Sequence, residues 1–490
     1  MKVSITTLGC PKNTVDSAHL EEALLSEGFE AVDEPESAEI ILVNTCGFIT
    51  DAKEESIEEI LRLAKIKNVA GSELGVLRPD HERTGKTADT GNRESPRKLV
   101  VFGCLAQRYR EELLREMPEI DALWGVGDDE KIVQYCKTLR DSQESEARSK
   151  KQEVESKTSC PRLSSSPYAY LKIAEGCNKR CTFCVIPSIR GPFRSAGPES
   201  LLREAEKHVR RGVRELILVA QDITDYGRDL KDYGLVSLLR DLASLAGDFR
   251  IRLLYLYPTA ITDELLGFLA SESKVLKYLD VPLQHSEDRL LRLMGRRGTR
   301  KEYLKLLRRV RRAVPGVTLR TTFIIGFPSE TEEEFNGLVD FIEEVRFDRL
   351  GAFMYSREEG SAASLLKGQV PEKVKQRRLD ELMRRQALIS FEKNRDLVGR
   401  RFEALVEEVD GRLVIGRLDS QAPEIDGVTI IEESAVKSQE ARAMSQDATM
   451  NPRPPVAVGD LVTVEIVDAY DYDLKAMLVT VDSQAPGGKQ

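Results

Sequence analysis

Three thiols fall within eight residues, Cys177-Asn-Lys-Arg-Cys181-Thr-Phe-Cys184, directly after a predicted strand over 169–174. No second cysteine pair and no histidine follows at metal-ligand spacing. Structural zinc takes four ligands, mostly from C-x2–4-C pairs, so zinc fits this spacing poorly. Three thiolates fit three irons of a [4Fe–4S] cluster and leave the fourth iron open to a chelating molecule. The alternative is three buried structural cysteines.

The pattern around this motif alternates strands with helices. Apolar strands are expected at 169–174, 215–220, 250–256, 278–281, 319–325 and 349–354, with helical periodicity at 199–211, 235–246, 300–313 and 330–345. Six such β–α units predict an open partial barrel or a doubly wound sheet. In both, function gathers at the C-terminal strand ends. Before them lie strands at 3–8, 39–44 and 98–102 and helices at 15–27, 51–64 and 129–139, which predict a parallel α/β sheet. In the helix over 51–64, Ile57, Ile60, Leu61 and Ala64 are expected on one face. A charged helix over 372–396 joins the central unit to the tail. Beyond it, short alternating strands at 402–408, 413–417, 428–431, 461–468 and 476–481, with Gly411, Gly416 and Gly459 at turns, predict a small OB-like all-β barrel. Polar stretches at 67–97, 141–167 and 434–455 lack periodicity and are expected as an insertion, a linker and an extended loop. Domains are therefore expected at 1–140, 168–396 and 397–490.

Three more cysteines end the three strands of the first domain: Cys10 in TLGCPKN, Cys46 in VNTCGFI and Cys104 in VFGCLAQR. In a parallel sheet these strand ends share one edge, so the thiols could converge. A glycine beside each would let the backbone approach a bulky group. Scattered half-buried cysteines are the alternative. Cys136 reads as a core residue and Cys160 as an exposed thiol in the linker.

Composition narrows the class. A hydrophobic content of 41% over 490 residues excludes a wholly disordered chain. No run reaches the roughly 18–20 apolar residues a membrane span needs. The opening MKVSITTLGC is strand-like with no signal-peptide core, so a cytoplasmic protein is expected. Eight cysteines in such a chain argue for metal or catalysis over disulfides. The net charge of −9 argues against a general nucleic-acid binder.

The CxxxCxxC motif after the first strand of a β/α unit resembles the radical S-adenosylmethionine (SAM) superfamily. Together with the first cysteine triad and the terminal barrel, the chain resembles the methylthiotransferases. That resemblance implies an N-terminal cluster domain, a partial (β/α)6 radical SAM barrel and a C-terminal TRAM barrel. It implies two [4Fe–4S] clusters, one on Cys177, Cys181 and Cys184 and one on Cys10, Cys46 and Cys104, with SAM on the open iron of the first. Phe183 then occupies the adenine-packing position, and Ile324 and Gly326 of IIGFP the adenine-contacting strand end. Gln221, beside Asp222, is a candidate for the methionine or ribose end, Arg320 either for the SAM carboxylate or for a surface ion pair, and Arg190 and Arg194 for orienting the cofactor. His285 is either functional or a structural hydrogen-bonded histidine.

TLGCPKNTVDS, AQDITDYGRD and YLYP resemble the RimO branch, which modifies an aspartate of a small-subunit ribosomal protein. The tRNA-modifying MiaB branch typically has Gln-Met at Pro11-Lys12 and Asn-Val at Asp222-Ile223. From 397 to 490 the chain carries nine Lys and Arg against seventeen Asp and Glu, a balance of −8. An acidic barrel should repel tRNA and attract a basic protein. The expected substrate is thus a basic ribosomal protein rather than tRNA. A flavodoxin or ferredoxin is expected as electron donor, and a monomer as the working form. The competing readings are a tRNA adenosine methylthiotransferase and a non-catalytic iron–sulfur scaffold.

Overall fold

A computed structural model describes residues 1–69, 97–147, 166–411, 413–432 and 456–480. Cys160, most of the stretches at 67–97 and 141–167, and the 434–455 stretch lie outside the described residues. The chain divides into two compact units, Met1–Leu163 with Val185–Gly191, and Ser164–Cys184 with Pro192–Gln490.

The first unit is built on a parallel five-stranded sheet. Its strands are β1 (Lys2–Thr7), β2 (Glu30–Ala31), β3 (Ile40–Thr45), β4 (Lys98–Gly103) and β5 (Ala122–Leu123), in the order β2-β1-β3-β4-β5. The helices are α1 (Pro11–Ser26), α2 (Thr50–Val69), α3 (Cys104–Arg108), α4 (Arg110–Glu116), α5 (Asp129–Ala147) and the short α6 (Ile186–Arg190). Strand alternation splits the apolar side chains into two cores. Ile41, Val43, Leu99 and Val101 pack with Ile60 and Leu63 of α2. Ile40, Leu42, Val100 and Phe102 pack with Leu20 and Leu24 of α1 and Ile132 and Cys136 of α5. Both faces are covered, which is why β3 is buried throughout. Cys136 is core, as expected, and burial pushes its thiol up to about 12.

Two expectations need correction here. Ile57 and Leu61 are 38% and 44% exposed, and the buried face of α2 is instead Ser56, Ile60, Leu63 and Ala64. The apolar stripe is narrower than its hydrophobic residues suggested, because only the face turned to β3 and β4 meets the sheet. In addition, α2 and α5 run to Val69 and Ala147, past the expected helix ends at 64 and 139.

The second unit opens with six parallel strands: β6 (Tyr168–Lys172), then β9 (Glu215–Val219), β10 (Arg250–Leu253), β11 (Val275–Asp280), β12 (Thr318–Ile325) and β13 (Arg349–Met354). The short β7 (Ala174–Glu175) and β8 (Arg194–Ser195) pair with each other after β6. The six lie side by side in chain order. That order has no switch point, so the sheet is an open partial barrel and not a doubly wound sheet. The helices α7 (Pro198–Arg210), α8 (Leu235–Ser244), α9 (Asp263–Ser271), α10 (Asp288–Leu293), α11 (Arg300–Ala313) and α12 (Glu332–Val345) fall between strands. Leu216, Leu218, Ile251, Leu253, Leu319, Phe323 and Ile325 pack with these helices in one large core. The alternate residues, among them Arg252, Tyr278, Arg320 and Ile324, face the other side.

After α13 (Glu372–Arg395), the strands β14 (Arg401–Asp410), β15 (Leu413–Leu418), β16 (Thr429–Glu432), β17 (Leu461–Ala469) and β18 (Leu474–Thr480) close into a barrel, β14-β15-β16-β18-β17. Residues 419–426 of this barrel meet the N-terminal ends of the six parallel strands. Tyr168 donates to Glu424 at 3.0 Å, and Tyr278 donates to Asp426 at 2.7 Å. Arg252 donates to the Asp419 carbonyl at 2.9 Å, and Arg250 pairs with Asp419 and Glu403. Glu215 is fully buried between Arg252, at 2.5 Å, and Arg417, at 3.3 Å. Among the described residues no helix is long and apolar enough to cross a membrane.

Candidate functional site: two cysteine triads

In the first unit the three cysteines follow the C-terminal ends of β1, β3 and β4, which are neighbours in the sheet. Cys46 comes directly after β3, Cys104 opens α3, and Cys10 caps the start of α1. Three glycines hold the backbone close. A Cβ on Gly9 would stand 2.7 Å from the Cβ of Cys46 and 3.1 Å from its Sγ. A Cβ on Gly47 would stand 2.8 Å from the backbone of Leu105. Gly103 has φ 97° and ψ −155°, a region open only to glycine, and a Cβ there would meet Asn44 at 2.3 Å.

Polar side chains lock these loops. Asn13 donates to the Leu8 carbonyl at 2.7 Å and to the Thr45 carbonyl at 3.2 Å. The Cys46 N–H donates to Ser56 Oγ at 3.0 Å. Burial raises the Cys10 thiol, but the charges of Lys12 and Arg190 and nearby backbone N–H groups outweigh it and leave it lowered. Burial raises Cys46, and pushes Cys104 up to about 12 against the opposing charge of Arg190.

In the second unit the Cys177–Cys184 loop is pinned on both sides. Thr182 donates its N–H to the Met294 carbonyl at 3.0 Å and its hydroxyl to the Leu293 carbonyl at 2.7 Å. Its own carbonyl accepts from the Ala363 N–H at 2.8 Å. Asn178 accepts from the Phe193 N–H at 3.1 Å. The Lys179 N–H points to Cys177 Sγ at 3.4 Å, and Arg296 donates to Cys181 Sγ at 3.9 Å. Burial raises the Cys177 thiol. All three cysteines are partly exposed.

The expected cofactor contacts divide. Phe183 and Ile324 both pack against the cluster of Leu290, Met294 and Phe327. Gln221, just past β9, donates to Glu175 at 3.1 Å, while its buried carbonyl oxygen has no hydrogen-bond partner. Gly326, at φ 72°, is packed under α13, where a Cβ would meet Lys375 at 2.3 Å. Arg194 is exposed on β8. His285 is buried, accepts the Glu287 N–H at 3.1 Å on Nδ1 and has Nε2 3.4 Å from Glu330, the structural reading.

Two arginines are placed elsewhere than expected. Arg320 shares a face of β12 with Ile324 but sits near the opposite end, about 13 Å away along the strand. Its guanidinium is committed to Asp280 at 3.0 Å and Asp426 at 3.5 Å. Arg190 belongs to the first unit, bound to Asn13 and Asp16.

Lys179, Tyr257 and Arg296 were missed in the sequence. Lys179 pairs with Asp225 at 2.8 Å and Asp222 at 3.2 Å. Lys179 and Arg296 both lie over the Tyr257 ring, 4.5 and 4.1 Å from its centroid. Lys179 lies inside the cysteine motif and Tyr257 inside YLYP, and for Arg296 the signal was Gly295 in RLMGRRG, whose Cβ would meet the Arg180 carbonyl.

Among the described residues no group of three Cys, His, Asp or Glu is gathered as single-ion ligands. A tetrahedral zinc would need sulfurs about 3.8 Å apart. A cubane puts each thiolate on a different iron and suits a wider triad. The all-thiol donor sets and the glycine cradle fit such a cluster.

The comparisons with known proteins follow this division. A model of the radical SAM superfamily matches residues 171–342, one of uncharacterized protein family UPF0004 matches 2–125, and one of the TRAM domain matches 398–479. A ribosomal protein uS12 methylthiotransferase RimO of Thermodesulfovibrio yellowstonii is 51% identical over 97% of this chain and 99% of that protein. The chain belongs to the RimO family. A second RimO, from Trichlorobacter lovleyi, is 42% identical over 98% of both chains. The radical SAM methyltransferase TsrM from Kitasatospora setae, with tryptophan and aza-SAM bound, matches at TM-score 0.50 and 14% identity over 84% of this chain and 79% of that one, a likeness of fold.

Asp419, Glu424, Asp426 and Glu403 of the terminal barrel are used against the parallel strands. The balance of −8 is thus partly neutralised within the chain, and is not all an outward field.

Proposed function

We propose that this chain installs a methylthio group on the β-carbon of an aspartate in ribosomal protein uS12, using two [4Fe–4S] clusters and SAM. The observation that carries the proposal is the presence of two separate cysteine triads, one in each compact unit, in a RimO-family chain. Cys177, Cys181 and Cys184 would hold the SAM-binding cluster, and Cys10, Cys46 and Cys104 the second. When bound, these groups supply a radical able to take hydrogen from an unactivated C–H bond and the sulfur that replaces it.

The chain's own residues bind and orient. Phe183 and Ile324 offer an apolar wall for the adenine. The unpartnered Gln221 carbonyl is ready to accept a cofactor N–H or O–H. Arg296 places positive charge beside Cys181, which balances thiolate charge in a partly buried loop. Ile324, Gly326 and the Glu330 carboxylate that accepts the Gly326 N–H at 2.9 Å fix the strand end under α13.

The same reading takes a flavodoxin or ferredoxin as electron donor, a cytoplasmic monomer as the working form, and domain limits at 1–140, 168–396 and 397–490. Incubating anaerobically reconstituted protein with uS12, SAM and a reductant, followed by peptide mass spectrometry, tests it. A methylthio mass on one aspartate is expected. Cluster binding with no 5′-deoxyadenosine would favour a scaffold.

A further inference from the structure

Arg190 follows the radical SAM motif by only six residues, yet it is part of the first unit. Val185 and Ile189 of the same short segment pack on Cys104, with Phe48 and Val126. The Arg190 side chain is 1% exposed. Its Nη2 donates to Asn13 Oδ1 at 2.6 Å, and Nη1 and Nη2 both reach Asp16 Oδ2 at 3.1 Å. Asn13 is the residue that ties the Gly9–Cys10 turn to the end of β3, and its Oδ1 also lies 3.9 Å from Cys104 Sγ.

We propose that Arg190 is the positioning residue of the N-terminal iron–sulfur site. Its buried guanidinium fixes Asn13 between the cysteine turns and sets the positive charge that a cluster on Cys10, Cys46 and Cys104 would feel. Asp16 partly offsets that charge. This rests on the reading that the three thiols hold a cluster. Hydrogen bonds and net charge around the sulfurs set the potential of such a centre. A planar fork is needed to reach Asn13 and Asp16 together, which lysine does not provide.

The test uses the full chain with Cys177, Cys181 and Cys184 changed to alanine, so that only the N-terminal site can load. Iron content and an EPR-monitored redox titration are read after anaerobic reconstitution. If this protein holds no iron, the cluster reading itself fails. If it holds iron, Arg190→Gln should lower the midpoint, raising the oxidised-to-reduced ratio at the parent midpoint at least tenfold, about 59 mV for one electron. Asp16→Asn, which leaves Arg190 less offset, should move the midpoint the other way. Opposite signs cannot come from general damage to the fold. Iron retained with neither midpoint moved, or both moved in one direction, overturns the proposal. Should Arg190→Gln fail to load, the Asp16→Asn arm decides by its sign.

Discussion

Arg296 donates to the sulfur of Cys181 across 3.9 Å while its guanidinium lies on the ring of Tyr257. The same side chain donates to the Pro282 carbonyl at 2.6 Å. One buried cation thus joins a cysteine of the motif to the loops after β10 and β11. Replacing it by lysine keeps the charge and loses the planar contacts. Arg296→Lys is expected to slow 5′-deoxyadenosine formation about 10–100-fold, in the range seen for groups just outside metal ligands. Chromatographic assay of 5′-deoxyadenosine with reduced protein and SAM checks it.

The two triads should separate in function. Alanine at Cys177, Cys181 or Cys184 is expected to abolish SAM cleavage. Alanine at Cys10, Cys46 or Cys104 should leave 5′-deoxyadenosine formation and remove methylthio product. Identical behaviour of both sets would sink the division of labour.

Gly103 occupies a backbone conformation open only to glycine, with Asn44 and the Thr45 carbonyl where a Cβ would go. Gly103→Ala is expected to cost at least about 1–3 kcal/mol from backbone strain alone. Because Cys104 is the next residue, iron at the N-terminal site should fall with stability. Urea unfolding and iron analysis on one preparation would show both; an unchanged unfolding midpoint would refute it.

Glu215 is held at about 2, below the usual carboxylate range: burial alone would raise it, but Arg252 and Arg417 overcome that effect. Its folded value is below its unfolded value, so its contribution is present above about pH 4.5 and is lost as pH falls toward 2. Glu215→Gln should remove this part of the acid dependence. It leaves the buried Arg252 without its carboxylate and Arg417 with Glu407 alone, at a cost of about 3–5 kcal/mol. Unfolding titrations of the apo protein from pH 6 to pH 2.5 check both, pH values chosen as roughly spanning that window.

What the sequence made legible was local. The Cys177–Cys184 spacing and the strand ends carrying Cys10, Cys46 and Cys104 follow from short-range pattern. The failures were long-range. Arg320 and Arg190 each looked free to meet a cofactor, but a guanidinium goes to its nearest buried carboxylate. Asp426 and Asp16 are 106 and 174 residues away in the chain. Ile57 and Leu61 were placed on one face with Ile60 and Ala64 but are exposed, because periodicity reports an apolar stripe without saying how wide the sheet beneath it is. Counting charges in the acidic tail likewise does not reveal that Asp419 and Asp426 face arginines of the same chain.

The most direct test compares two products from one strain lacking this gene, before and after the intact gene is restored. Ribosomal protein uS12 is examined by peptide mass spectrometry and tRNA by nucleoside analysis. The account predicts that the methylthio mass on one uS12 aspartate disappears with the gene and returns with it, while methylthioadenosine in tRNA is unchanged. A constant uS12 mass with loss of methylthioadenosine would contradict it.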